Sequence, residues 1–122
     1  MILEFTTVTI GATDPVRLAD FYAALLNWEV GHTEPGYVIL NNPSGGVGLA
    51  FQAEPDQPAP VWPARTGDPH MQMHLDIRVD DLTDGLSHAL HCGATMASYQ
   101  PQSDVRVCID PAGHPFCLWV EP

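Results

Sequence analysis

His74-Leu75-Asp76-Ile77-Arg78-Val79-Asp80-Asp81-Leu82 runs from an alternating segment straight into a helix start, and Thr7-Val8-Thr9-Ile10, followed by Asp14-Pro15, does the same earlier in the chain. In the later stretch Leu75, Ile77 and Val79 point one way and His74, Asp76 and Arg78 the other, the period of a strand. Residues Phe5 to Ile10 alternate similarly. After the first strand, Asp14 suits a helix N-cap and Pro15 the first helical position. Leu18, Phe21, Tyr22 and Leu25 then make one apolar stripe, and Asn27 is a stop. After the second strand, Asp80 or Asp81 caps a helix whose stripe is Leu82, Leu86, Ala89 and Leu90. Gly93 supplies its C-terminal left-handed residue.

Three strand-like runs follow each helix. They lie near 28–32, 37–41 and 47–52 in the first half, and near 95–99, 105–109 and 115–121 in the second. The last two runs of each half are joined by matching turns, Asn42-Pro43-Ser44-Gly45 and Asp110-Pro111-Ala112-Gly113. The chain therefore reads as a tandem repeat of one βαβββ unit. The expected fold is α+β, with the repeats forming a curved mixed sheet around a cup and the helices on its outer face. Module one spans 1–53 and module two 70–122 within a single domain. Between them, Pro55, Pro58, Pro60, Pro63 and Pro69 make 54–69 an extended connector. Trp62 in its middle either covers an apolar edge of its own domain or serves as a lid or dimer contact.

The chain has 122 residues, enough for one compact domain. A net charge of −11 repels phosphate backbones and anionic lipid, which argues against nucleic-acid and membrane partners. No apolar run approaches the roughly 20 residues of a membrane span. The opening Met1-Ile2-Leu3-Glu4 lacks a basic, cleavable leader, so a cytoplasmic protein is expected. Cys92, Cys108 and Cys117 have neither disulfide-framework nor zinc-knuckle spacing and read as buried thiols.

Helices on one face of a sheet draw the apolar alternation toward them. That assigns Val47, Leu49, Phe51, Phe116, Leu118 and Val120 to the helix side, with Val105, Val107 and Ile109. The far side then carries His74, Asp76, Arg78, Arg106, Cys108, Cys117, Trp119 and Glu121. It is too polar for a second core and too aromatic for a wet surface, which fits a partly dry ligand site.

The motifs Thr7-Val8-Thr9-Ile10, Asp14-Pro15, Leu18-Ala19-Asp20-Phe21-Tyr22 and Leu25-Leu26-Asn27-Trp28 resemble the opening of vicinal-oxygen-chelate proteins. That superfamily includes glyoxalase I, bleomycin-resistance proteins and extradiol dioxygenases. His74 through Leu82, Gly93-Ala94-Thr95 and Asp110 through Phe116 resemble its glyoxalase-like branch. The resemblance covers the chain apart from the connector.

It implies a divalent metal held by residues of the first and last strands of each half. By position, His74 and Glu121 are those residues in the second half, and are its ligands if a metal binds. The first half has Thr7 where a His is expected and Gln52 where a carboxylate is expected, so half of the usual ligand set is missing. Without a metal, Glu121 as base and His74 as its acid or orienter form a catalytic pair. Otherwise His74 is a cavity histidine bonded to Glu121 or Asp76. Thr7, Gln52, Asp76, Arg106 and Trp119 are the expected ligand-binding residues, although Asp76 with Arg78 or Arg106 also reads as a structural ion pair. The resemblance further implies a small-molecule ligand and a homodimer. The expected function is binding of a small organic ligand in the cup. The alternatives are a metal-dependent lyase, isomerase or dioxygenase using His74 and Glu121, and a drug-sequestering resistance protein without catalysis. Whether the protein is an enzyme stays open.

Overall fold

The computed structural model describes all residues from Met1 to Pro122. They fall into two compact units, Met1–Gln57 and Pro58–Pro122, whose boundary lies in the proline-rich connector. In the first unit the order is β1 (Thr7–Ala12), α1 (Pro15–Leu26), β2 (Glu29–Glu34), β3 (Tyr37–Asn41) and β4 (Gly48–Ala53). The second repeats it with β5 (Asp76–Arg78), α2 (Leu82–Cys92), β6 (Thr95–Met96), β7 (Val105–Ile109) and β8 (Pro115–Trp119). The α+β class and the βαβββ repeat are both present. Hydrogen bonding groups the strands into two four-stranded mixed sheets, one per unit, ordered β1-β4-β3-β2 and β5-β8-β7-β6. In each sheet the first strand of the module runs parallel to the last, and the other pairs are antiparallel.

The helices begin and end by matching chemistry. Asp14 accepts a hydrogen bond from the Arg17 amide at 3.0 Å, and Asp81 from the Asp84 amide at 2.9 Å. Each carboxylate thus satisfies an amide that the first turn leaves without a partner. Asn27 closes α1 in the left-handed region at φ 55, and Gly93 closes α2 at φ 123. The hairpin turns match as well. Gly45 and Gly113 both have positive φ and both donate to the carbonyl three residues back, at 3.0 and 2.9 Å. The turn openers use their side chains too. Asn42 Oδ1 accepts from the Ser44 amide, and Asp110 Oδ1 from the amides of Ala112 and His114.

The core of the first unit lies between α1 and one face of its sheet. Leu18, Phe21 and Tyr22 of α1 are buried with Val38, Leu40, Leu49 and Phe51, and Tyr22 stacks on Phe51 at 5.6 Å. In the second unit Cys108, Phe116 and Leu118 are fully buried. A β-carbon on Gly85 of α2 would stand 2.9 Å from Val79, so the glycine that weakens this helix also lets it approach the strand. From Pro58 onward the connector belongs to the second unit. Trp62 stacks on Tyr99 at 6.0 Å, and its indole N–H donates to the Tyr99 carbonyl at 3.3 Å. This contact covers a surface of its own unit. No helix is long and apolar enough to cross a membrane.

Candidate functional site

Strand register decides which side chains of module two share a face, because directly opposed residues project to the same side. Asp76 lies opposite Cys117 and Arg78 opposite Trp119 across β5 and β8. Val105 lies opposite Trp119 and Val107 opposite Cys117 across β7 and β8. These six residues therefore share the face away from Val79 and the helix. An open groove of about 340 Å³ lies there, lined by His74, Asp76, Asp104, Val105, Cys117 and Trp119 among others. Its walls combine an indole and aliphatic carbons with a few polar groups, the usual make-up of a small-molecule site.

The polar groups gather at one end. His74 precedes Asp76 by two residues, so both project from the same side of the chain. His74 Nε2 is 3.1 Å from Asp76 Oδ1. One donor atom from each of His74, Asp76 and Cys117 lies within 4.8 Å of the others. Burial pushes the Cys117 thiol above the usual range, and the negative charge of Asp76 adds to this. Cys108 starts from the opposite face, where burial, with a further contribution from Cys117, pushes its thiol up to about 11. Iodoacetamide at pH 8 should therefore leave Cys108 unlabelled in the native protein, and all three thiols should react in denaturant. The sign of the pH effect follows. Above pH 9 the unfolded thiol loses its proton while the folded one keeps it, so stability falls as pH rises from 9 to 11. Denaturant titrations across that range, with Cys108→Ala as the comparison, measure the effect.

Several expected residues lie elsewhere. Glu121 is beyond the end of β8, and its carboxylate accepts a 2.7 Å hydrogen bond from Arg78. Six residues of register separate it from His74, since Asp76 pairs with Cys117. His74 and Glu121 are thus not brought together as an acid–base pair or as two ligands of one metal. A metal held by that pair does not fit this arrangement. Both members of the Arg78–Glu121 pair are more than half exposed. Replacing Arg78 by alanine should change the unfolding free energy by less than about 1 kcal/mol, as read from urea titrations.

Arg106 is a second correction. It lies opposite Leu118, and Cys108 opposite Phe116, so both belong to the helix side. Arg106 donates to the carbonyls of Ser103 and Val105, and neither it nor Arg78 pairs with Asp76. The alternation of β7 misleads because both of its faces are covered. Val107 is 4% exposed and Cys108 0%.

In module one Thr7 lies opposite Gly48, and Gln52 opposite Gly11, on the face away from α1. Four residues of register, about 13 Å of strand, hold them apart. Gln52 donates instead to Glu54 at 2.6 Å. By register, Thr9 and Ala50 stand where module two has Asp76 and Cys117. Module one thus lacks all three donors. Asp76 and Trp119 are the expected ligand-binding residues that do line the groove, and His74 joins them. Cys117 was missed as a site residue. The signal for it was its alternation with Phe116 and Leu118, which turns the thiol to the polar face.

Two tandem βαβββ modules, each with a helix on one side of a mixed four-stranded sheet, define a paired-module α+β protein. A family model described as a glyoxalase-like domain matches residues 7–119. The chain belongs to that glyoxalase-like family, within the vicinal-oxygen-chelate superfamily. Solved structures share the fold at low identity. A glyoxalase/bleomycin resistance protein/dioxygenase family enzyme from Burkholderia phytofirmans PsJN is 18% identical with a TM-score of 0.71, covering 97% of this chain and 98% of that one. A glyoxalase-related enzyme from Fulvimarina pelagi is 17% identical with a TM-score of 0.70, covering 99% and 90%. TnmS3, an antibiotic binding protein from Streptomyces sp. CB03234, is 16% identical with a TM-score of 0.66, covering 99% and 98%. No curated protein matches the chain.

Proposed function

We propose that the chain binds a small organic cation in the groove of module two. The observation that carries this reading is the groove itself, where Trp119 and Val105 provide apolar surface beside the carboxylates of Asp76 and Asp104. A flat cationic body would lie against the indole, and the carboxylates would favour its charge. The net charge of −11 draws cations and repels anions over a longer range. Binding without chemistry is the reading favoured over catalysis, because His74 and Glu121 are apart, and the Streptomyces neighbour is an antibiotic binding protein. A homodimer and a cytoplasmic location belong to the same proposal. Exposed Met73, Met96 and Tyr99 offer apolar surface for pairing, and the three free thiols suit a reducing compartment.

The test is a thermal-shift panel of cationic aromatic antibiotics with neutral and anionic analogues, followed by quenching of tryptophan fluorescence. A cation present at 100 times its Kd should stabilise the fold by about 2.7 kcal/mol. Trp119→Ala should weaken binding roughly tenfold. Equal binding of anionic analogues, or no shift across the panel, would overturn the reading.

A further inference from the structure

We propose that the groove of module two selects an organic diamine, with one ammonium at Asp76, the other at Asp104 and the body between them on Trp119. The inference rests on the reading of this groove as a cation site and adds the number and spacing of the charges.

The spacing follows from the order of the strands. β8 runs between β5 and β7, so Asp76 and Asp104 stand on opposite sides of it. Asp76 is level with Cys117. The carbonyl of Asp104, in the turn just before β7, accepts from the Val120 amide at 3.3 Å, so Asp104 is level with Val120. Two strand spacings across the sheet, and the three residues from Cys117 to Val120 along it, put the two backbones roughly 14 Å apart. An ammonium bonded to the inner side of each carboxylate then leaves about 8 Å between the two charges. Trp119 lies between these levels on the strand between the two aspartates, and all three residues line the groove.

Both carboxylates keep capacity for a ligand. His74 Nε2 meets Asp76 Oδ1 at 3.1 Å and leaves Oδ2. The Asp104 carboxylate has no hydrogen bond or ion pair within the chain. Arg78, the cation that register places on the same face, is held by Glu121 at 2.7 Å. A single ammonium would use one aspartate and leave the other unpaired across the indole, whereas a second ammonium uses both. The repeat provides an internal contrast. Module one has Thr9, Gln52 and Gly36 in the places of Asp76, Trp119 and Asp104.

The experiment is calorimetric titration of the full chain at neutral pH and low salt with three probes. para-Xylylenediamine has two ammoniums at the required spacing and a flat ring between them. Its ortho isomer has the same ring and charge but holds its ammoniums too close to reach both aspartates. para-Methylbenzylamine has one ammonium. The para diamine should bind about fivefold more tightly than either, the gain expected of one further exposed ion pair. Asp104→Asn should remove that advantage without loss of the fold, since no group in the chain depends on this carboxylate. Asp76→Asn repeats the test from the other end. Equal affinity for the two isomers would overturn the proposal and leave the cation reading standing. So would a para diamine no tighter than the monoamine, or an advantage that survives Asp104→Asn. Binding of none of the three removes the cation reading as well.

Discussion

Phe51→Ala is expected to lower the unfolding free energy by about 3–5 kcal/mol, a large share of the roughly 5–15 kcal/mol that holds a domain folded. The Phe51 ring has no solvent exposure and lies parallel to Tyr22 at 5.6 Å, with an interplanar angle of 13°. Truncation removes this contact and leaves a cavity between α1 and β4. Leu49, Leu40 and Val38 line the same face but are held by the β3–β4 ladder, so they have little freedom to close the gap. Phe51→Leu fills part of the volume and should lose less than half as much. Urea denaturation followed by circular dichroism measures both variants. A loss under about 1 kcal/mol for Phe51→Ala would show that the ring does not support the helix–sheet contact.

Asp110→Ala is the second, with an expected loss of about 2–4 kcal/mol. Asp110 is the one buried polar or charged residue of the chain, at 4% exposure. Its carboxylate accepts from the amides of Ala112 at 2.9 Å and His114 at 3.0 Å. Its own amide donates to the His114 carbonyl, and its carbonyl accepts from Gly113. Hydrogen bonds to a charged acceptor contribute about 1.5–3 kcal/mol each, and alanine would leave two amides without that partner in a tight turn. Asp110→Asn keeps an acceptor oxygen and should lose about half as much. The same titrations decide it, and equal losses for the two variants would mean that the charge contributes nothing. Because the turn sets the β7–β8 register, Asp110→Ala should also disturb the placing of Cys117.

The local grammar of this protein was legible in its sequence. Asp14 and Asp81 cap their helices, Asn27 and Gly93 end them, and Gly45 and Gly113 turn the last hairpins, as their residue types demanded. Each of these signals acts within four or five residues, so a linear reading captures it. The repeat was visible for the same reason, since both halves use the same signals in the same order.

The candidate site was legible only in part. His74, Asp76 and Trp119 fell on the far face through simple alternation next to well-marked elements. Glu121 was matched to His74 by strand membership, but the register of β5 on β8 places Cys117 beside Asp76 and leaves Glu121 to Arg78. Arg106 and Cys108 were put on the wrong face because β7 is buried on both sides, at Val107 on one and Cys108 on the other. Hydrophobic alternation loses its meaning there, and only the pairing with β8 orients the strand. What the sequence by itself determined was therefore the repeated βαβββ unit, through caps, turns and periodicity that act over a few residues. What only the tertiary structure decided was which side chains meet across the strands of module two. Register is set by contacts between residues some forty positions apart, and a shift of one residue reverses every side chain.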